Sequence, residues 1–238
     1  MRLHNVWFRY GRGDSWILRG VDAALAPGEV IVLSGRNGAG KSTLLRIAAS
    51  LLRPTIGEVQ DRPSVVGWVP ERFPASQPYT VREYLTSMGR IRGLSSPGVE
   101  RWADRLDLRR YLDVSLPTLS KGTAQKVGLI QALVARPDLF VLDEPWEGLD
   151  AEARSEVPAL IGEVAAAGGR VLVSDHRGEA GRLPGAQHWE LVDGQVTVST
   201  DRGDDRYVVE VDVAVQDVPE LLSSLRAGGH RQVRVRNP

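Results

Sequence analysis

Short apolar runs separated by turn residues predict that the chain opens with several β-strands. Alternating apolar positions mark a strand at residues 3–8 and another at residues 17–25. Residues 30–33 are apolar at every position, which is typical of a strand buried on both faces. Residues 56–69 predict two further strands.

The apolar spacing then becomes helical. A helix is predicted to start at Lys41, and a mainly helical stretch occupies about residues 72–135. Within this stretch Thr80 and Glu83 have the spacing of a capping box, and Ser120 is placed to cap a further helix. We interpret this part as a helical subdomain inserted between two parts of an α/β sheet.

Strands and helices alternate again further along the chain. Residues 139–143 and 170–174 predict buried strands, and Asp150 is placed to start the helix between them. Pro158 lies inside that helix and is expected to kink or break it near Val157. The alternation favours an α/β fold with a mainly parallel core sheet.

The end of the chain has a separate pattern. Alternating valines at 209–215 and at 233–235 predict two strands, and a helix is predicted to start near Asp217. We therefore expect a small βαβ appendage over residues 201–238, behind a first domain of residues 1–200.

Composition narrows the possible partners and the cellular setting. Thirty basic and thirty acidic residues cancel, so no global field favours nucleic acid or an anionic membrane. The absence of cysteine excludes disulfides, thiol nucleophiles and thiolate metal sites. No apolar run reaches the ~18 residues of a membrane span, and the N-terminus lacks the apolar core of a signal peptide. We expect a cytoplasmic protein with no nucleic-acid partner.

One segment carries a specific chemical motif, G-x-x-x-x-G-K-[ST], between a predicted buried strand and a predicted helix. Its glycines let backbone N–H groups face phosphates, and the helix N-terminus adds its positive end. Lys41 is predicted to reach the β- and γ-phosphates, and the Ser42 hydroxyl to ligate Mg²⁺. The predicted nucleotide-binding residues are Gly35, Arg36, Asn37, Gly38, Ala39, Gly40, Lys41, Ser42 and Thr43.

Two carboxylates, Asp143 and Glu144, directly follow an apolar run at residues 139–142. A strand beside the phosphate loop would bring Asp143 to the metal. Glu144 would then be placed to orient or deprotonate a water molecule. Two solvated acids at a strand end are the alternative interpretation, which the phosphate loop in the same chain makes less favoured.

The ordered set of motifs resembles the nucleotide-binding subunit of ABC transporters over roughly residues 2–198. The segment 119–123, Leu-Ser-Lys-Gly-Thr, is similar to the family signature LSGGQ, and residues 147–150 resemble the D-loop. His176 follows a predicted strand, as the family's switch histidine does. Tyr10 resembles the aromatic residue that stacks on adenine, a role for which Trp7 and Phe8 are the competing candidates.

This resemblance implies a P-loop ATPase fold that includes an N-terminal antiparallel β portion, with ATP and Mg²⁺ as cofactors. Glu144 and His176 would be catalytic, and Asp150 would act in the D-loop. Ser120, Lys121 and Gly122 would act on a nucleotide held by a second ATPase subunit, either another copy or a close relative. Two such subunits would enclose two ATP molecules head to tail. A separate transmembrane permease would hold the chain peripherally on the inner face of the cell membrane.

Three positions depart from the family pattern. Lys121 replaces the first signature glycine and Thr123 the glutamine, a variant that resembles exporters of the ABC-2 type and favours export. Glu71 stands where the family has its Q-loop glutamine. A carboxylate can still ligate Mg²⁺, so we predict Glu71 as a further metal ligand. The alternative is that Glu71 points to solvent or to the permease.

Two other functions share parts of this pattern. A soluble ABC ATPase acting in DNA repair or translation would typically carry a second ATPase domain, a coiled coil or cysteine-rich metal fingers, none of which the sequence shows. A nucleotide kinase or a GTPase shares only the phosphate loop, and leaves residues 119–122 and His176 unexplained. We therefore expect a transporter ATPase and keep the soluble ABC ATPase as the alternative.

Overall fold

The computed structural model describes residues 1–95, 97–176 and 178–199, together with residue 218. The strands are β1 Arg2–Phe8, β2 Leu18–Ala24, β3 Val30–Ser34, β4 Ile56–Gln60, β5 Val66–Val69, β6 Leu139–Leu142, β7 Arg170–Ser174, β8 Gln187–Val192 and β9 Gln195–Ser199. The helices are α1 Lys41–Ala48, α2 Val81–Ile91, α3 Val99–Arg105, α4 Lys121–Leu133 and α5 Ala151–Ala166, with short 3₁₀ turns at Arg109–Tyr111, Leu116–Thr118 and Glu179–Arg182.

The described residues form two sheets. The smaller sheet has the order β2-β1-β4 and is antiparallel, which confirms the expected N-terminal β portion. The larger sheet has the order β5-β6-β7-β3-β8-β9, and only its β8–β9 pair is antiparallel within the described residues. The predicted α/β fold with a mainly parallel core sheet is therefore confirmed.

The parallel register brings three chain segments together. Leu33 of β3 pairs with Ser174 of β7, and Leu142 of β6 pairs with Val173 of β7. The carboxyl ends of these three strands therefore lie side by side, so the loops that leave them meet at one edge of the sheet. In open α/β sheets this edge is where ligands bind.

Alternate residues of the central strands enter two separate apolar clusters, one on each face of the larger sheet. Val32 and Phe140 pack in a cluster with α2, α4 and α5. Leu33 and Val141 pack in the other cluster with α1 and the smaller sheet. Burial on both faces explains why β3 and β6 are continuous apolar runs.

Local capping signals in the helical part are confirmed. The side chain of Thr80 accepts a hydrogen bond from the Glu83 N–H, and the Glu83 side chain accepts one from the Thr80 N–H, which completes the capping box of α2. The Ser120 hydroxyl accepts a hydrogen bond from the Thr123 N–H at 3.1 Å and starts α4. Helices α2, α3 and α4 all lie within the predicted subdomain at about residues 72–135; its boundaries stay a prediction.

Of the kink or break expected near Val157, the break is contradicted by the structure, and the kink stays a prediction. Helix α5 runs without interruption through Pro158. Proline removes only the hydrogen bond that its N–H would donate to residue 154. Val157, Leu160 and Ile161 are buried beside it, and their packing holds the helix together.

The predicted βαβ appendage at 201–238 lies outside the described residues, apart from residue 218. In the part of the chain that is described, no helix is both long and apolar enough to cross a membrane.

Candidate nucleotide site

The loop between β3 and α1 has a backbone that requires glycine at two positions. Gly35 has a φ of +146°, and a Cβ there would lie 2.6 Å from the carbonyl oxygen of Leu191. Gly40 has a φ of +106°, and a Cβ there would lie 2.8 Å from a methyl carbon of Ile17. The loop therefore passes close to β8 and to the start of β2 before it enters α1 at Lys41.

Lys41 is buried, with 8% of its surface exposed. Its ammonium group donates hydrogen bonds to the carbonyl oxygens of Gly35 at 2.8 Å and Arg36 at 3.4 Å. These bonds fold the side chain back over the loop. An ammonium group has three donors, so the third is available to a phosphate in the same place.

Asp143 follows β6 and is 1% exposed. One of its carboxylate oxygens accepts hydrogen bonds from the Ser42 hydroxyl at 3.2 Å and from the Ser174 hydroxyl at 2.9 Å. Ser42 and Asp143 thus offer two oxygen ligands beside the phosphate loop, the donor type that Mg²⁺ prefers. The described residues contain no cluster of three His, Cys, Asp or Glu side chains able to hold a metal.

Glu144 has a left-handed backbone, with a φ of 49°. This conformation is uncommon for a non-glycine residue and marks local strain. The Glu144 N–H donates to the Ser174 hydroxyl at 2.9 Å, and its carboxylate lies 2.6 Å from His176 Nδ1. Burial raises the pKa of Glu144, an effect that the hydrogen bond with His176 opposes.

Ser174 was not singled out by the sequence analysis, although it holds both acids. Its hydroxyl donates to Asp143 and accepts from the Glu144 N–H. The only sequence signal was its position at the end of a predicted strand. The role depends on the pairing of β6 with β7, which a single sequence does not display.

The phosphate loop and the Glu144–His176 pair border an open cleft of about 440 Å³. It is lined by Ile17, by residues 36–38 and 40–43, and by Glu71, Glu144, Glu147 and His176. Glu71 therefore faces the same cleft as the phosphate loop. Of the residues predicted to bind the nucleotide or the metal, Tyr10, Gly35, Ala39 and Asp143 do not line this cleft.

Tyr10 lies beside the first turn of α1. Its hydroxyl is 3.3 Å from the Thr43 hydroxyl, and its ring packs edge-on against Phe8 at 5.0 Å between centroids. The side chain remains largely exposed, with a relative surface of 58%. An exposed aromatic ring at this position is available for a flat base to stack on.

The segment that resembles the signature does not line the cleft, and it lies against residues 147–150, of which Glu147 does line it. Lys121 forms a 2.6 Å salt bridge with Glu147, and Lys126 forms a 2.8 Å salt bridge with Asp150. Gly122 packs so closely on this loop that a Cβ would lie 2.3 Å from the Gly148 carbonyl oxygen. Lys121 and Gly122 therefore lie against the loop that ends at Asp150, and Ser120, Lys121 and Gly122 do not line the cleft beside the chain's own phosphate loop.

A family model described as "ABC transporter" matches residues 18–147. The chain is 33% identical to a "Probable metal transport system ATP-binding protein" of Chlamydia muridarum, over 68% of this chain and 75% of that protein. It is 36% identical to the "Cytochrome c biogenesis ATP-binding export protein CcmA" of Hyphomonas neptunium, over 69% of this chain and 84% of that protein. It is 37% identical to the "Zinc import ATP-binding protein ZnuC" of Pseudomonas aeruginosa over 62% of this chain, and spans 55% of that relative's length.

Solved structures share the fold. One titled "Structure of ATP binding subunit of ABC transporter" superposes with a TM-score of 0.75 at 25% identity, covering 98% of this chain and 94% of that one. A dimeric ATP-binding cassette in a post-hydrolysis state, bound to ADP and Pi, gives a TM-score of 0.71 at 24% identity. That match covers 85% of this chain and 99% of the other.

Proposed function

The chain belongs to the ABC transporter family as an ATP-binding subunit with ATPase activity, and on this premise we propose that it works as a head-to-tail dimer with a separate permease. One observation carries the ATP-binding and ATP-hydrolysing part of this function. Lys41, the Ser42–Asp143 pair and the Glu144–His176 pair converge at the carboxyl edge of one parallel sheet.

The proposed chemistry follows from the positions of these side chains. The loop N–H groups and Lys41 hold the β- and γ-phosphates, while Ser42 and Asp143 hold Mg²⁺, which supplies positive charge to the phosphates when bound. Glu144 takes the proton of the water that attacks the γ-phosphorus, and the bond to ADP breaks. His176 keeps the Glu144 carboxylate oriented through their 2.6 Å contact.

Glu71 is proposed as a further ligand near the metal. Its place in the cleft lining supports this over the alternative in which it points away. A carboxylate there adds charge to a site that already contains Asp143 and Glu144. We therefore expect Glu71 to favour nucleotide binding with metal and to oppose it without metal.

The head-to-tail arrangement explains why Ser120, Lys121 and Gly122 do not line the cleft of their own chain. The N-terminus of the 13-residue helix α4 presents backbone N–H groups suited to phosphate. In the proposed dimer those groups face the nucleotide of the second subunit. A solved cassette with the same fold is dimeric, which supports an assembly of two subunits.

A mixing experiment tests the dimer. Lys41→Ala removes the phosphate contact, and Gly122→Asp displaces the signature segment, because its Cβ would lie 2.3 Å from the Gly148 carbonyl oxygen. Each variant alone should have little ATP turnover. Their mixture should regain turnover, because a mixed dimer pairs one intact phosphate loop with one intact signature segment. A mixture as inactive as its components would contradict the head-to-tail site.

For the permease we propose a separate transmembrane protein that holds this chain on the inner face of the cell membrane. Export is the direction we propose, and it rests on the Leu-Ser-Lys-Gly variant that includes Lys121. The matched relatives include subunits named for zinc import and for cytochrome c biogenesis export. Fractionation tests the association: the chain should sediment with membranes in cells that contain the permease and stay in the supernatant without it.

A further inference from the structure

Gln125, on α4, is a buried polar residue whose contacts point to a specific role. Only 1% of its surface is exposed. Its side-chain nitrogen donates to the Pro70 carbonyl oxygen at 2.9 Å, and its side-chain oxygen accepts from the Phe73 N–H at 3.2 Å. The two bonds hold both ends of the short segment that contains Glu71.

The same helix holds this segment by packing as well. Gly128 lies one turn further along α4, where a Cβ would come within 3.2 Å of the Phe73 ring. The Phe73 ring also packs edge-on against Tyr84 of α2, at 5.4 Å between centroids. The backbone on both sides of Glu71 is therefore fixed, while the Glu71 side chain is exposed to the cleft.

An amide side chain is suited to this position because it supplies one donor and one acceptor together. An apolar side chain at position 125 would leave the Pro70 carbonyl and the Phe73 N–H without this partner. Buried polar groups that lose a partner are costly, so the segment would move to find other partners. Glu71 would move with it.

We propose that Gln125 is a positioning residue that holds Glu71 in the nucleotide cleft through the Pro70–Phe73 segment. The inference rests on the proposed nucleotide site and deepens it. Helix α4 begins at the signature segment and carries Gln125 in its second turn. One helix thus contacts the loop of Asp150 at its start and fixes Glu71 of its own cleft.

The test is a double-mutant cycle read out as the ratio of ATP affinities with and without Mg²⁺, measured by calorimetry. Glu71→Gln should lower this ratio. Gln125→Met, which keeps the volume but loses both hydrogen bonds, should lower it by about 3–10-fold. In the Glu71→Gln background, Gln125→Met should change the ratio no further. If Gln125→Met lowered the ratio equally in both backgrounds, or left it unchanged in both, its effect would not act through Glu71 and the proposal would be overturned.

Gln187→Met is the matched control, because Gln187 on β8 donates its amide hydrogen bond to Glu29 instead of to the Pro70–Phe73 segment. It should leave the ratio unchanged. If Gln125→Met does not fold, Gly128→Ala displaces the Phe73 end of the segment and should lower the ratio only when Glu71 is present. An equal effect in both backgrounds would again overturn the proposal. A wild-type chain that binds no ATP would instead overturn the proposed nucleotide site.

Discussion

The ammonium group of Lys121 lies 2.6 Å from a carboxylate oxygen of Glu147, so a salt bridge joins the start of α4 to the loop that precedes α5. Beside it, the backbone of Gly122 contacts the Gly148 carbonyl oxygen with no space for a side chain. The salt bridge and the backbone contact have different effects on the structure. An exposed salt bridge contributes little to stability, whereas backbone contact fixes the distance between the two segments.

Substitutions at Lys121 and Gly122 should separate the effect of the salt bridge from the effect of the backbone contact. Lys121→Ala should change the free energy of unfolding by less than ~1 kcal/mol. Gly122→Ala forces the signature segment away from its loop and should reduce ATP turnover by ~100-fold, because small displacements of catalytic groups are costly. Unfolding curves and steady-state turnover measure the two quantities.

Gly162→Ala is the control for the glycine substitution. A Cβ at Gly162, inside α5, meets no other atom within 4 Å. Alanine should therefore stabilise that helix by ~0.5–1 kcal/mol and leave turnover unchanged. If Gly122→Ala behaves in the same way, the close contact with Gly148 has no functional role.

Lys41→Ala should weaken ATP binding by roughly 10–100-fold, since a hydrogen bond to a charged group contributes about 1.5–3 kcal/mol. Arg46→Ala removes an exposed positive charge from the same helix and serves as the control. Calorimetric titration with ATP should show the loss only for Lys41→Ala. Equal losses for both variants would indicate a general electrostatic effect and would contradict a direct phosphate contact.

Asp150 should contribute to stability in two separable ways. Its side chain accepts from the Ala153 N–H as the N-cap of α5, and it pairs with the buried ammonium of Lys126. Asp150→Asn keeps the cap and loses the charge, at a cost of up to about 1 kcal/mol. Asp150→Ala loses both, which should cost ~1 kcal/mol more. Urea unfolding at neutral pH gives both values, and equal costs for the two variants would contradict the capping role.

The charge contribution of Asp150 should also depend on pH. The hydrogen bond with Lys126 and the Ala153 N–H holds the pKa of Asp150 below its ordinary value of 3.8. The folded state therefore binds the proton less readily than the unfolded state, so this stabilisation is present above pH 3.8 and disappears as the pH falls through the lower folded value. The stability difference between wild type and Asp150→Asn should shrink accordingly, and a difference independent of pH would contradict the ion pair.

Features set by neighbouring residues could be predicted from the sequence. The capping box of α2 and the Ser120 cap depend on side chains three residues apart. The phosphate loop is likewise a continuous segment, and the structure gives Gly35 and Gly40 the backbone angles that the motif requires. Local chemistry determines such features, so they can be recognised in a single sequence without an alignment or a structure.

Features that depend on tertiary packing could not be predicted. The bridge made by Ser174 requires the register between β6 and β7, and the bonds of Gln125 join residues more than 50 positions apart. The error at Pro158 has the same origin. The prediction of a break took account only of the local cost of proline. In the structure, burial of Val157 and its neighbours holds α5 together.

The most direct test of the account is the ATP turnover of Glu144→Gln, because this change keeps the shape of the side chain and removes the proposed base. Glu152→Gln, an exposed carboxylate in the first turn of α5, is the matched control. Under saturating ATP and Mg²⁺, Glu144→Gln should lose at least ~100-fold in turnover while ATP affinity and the control remain as in wild type. Turnover of Glu144→Gln at the wild-type rate would contradict the proposed mechanism.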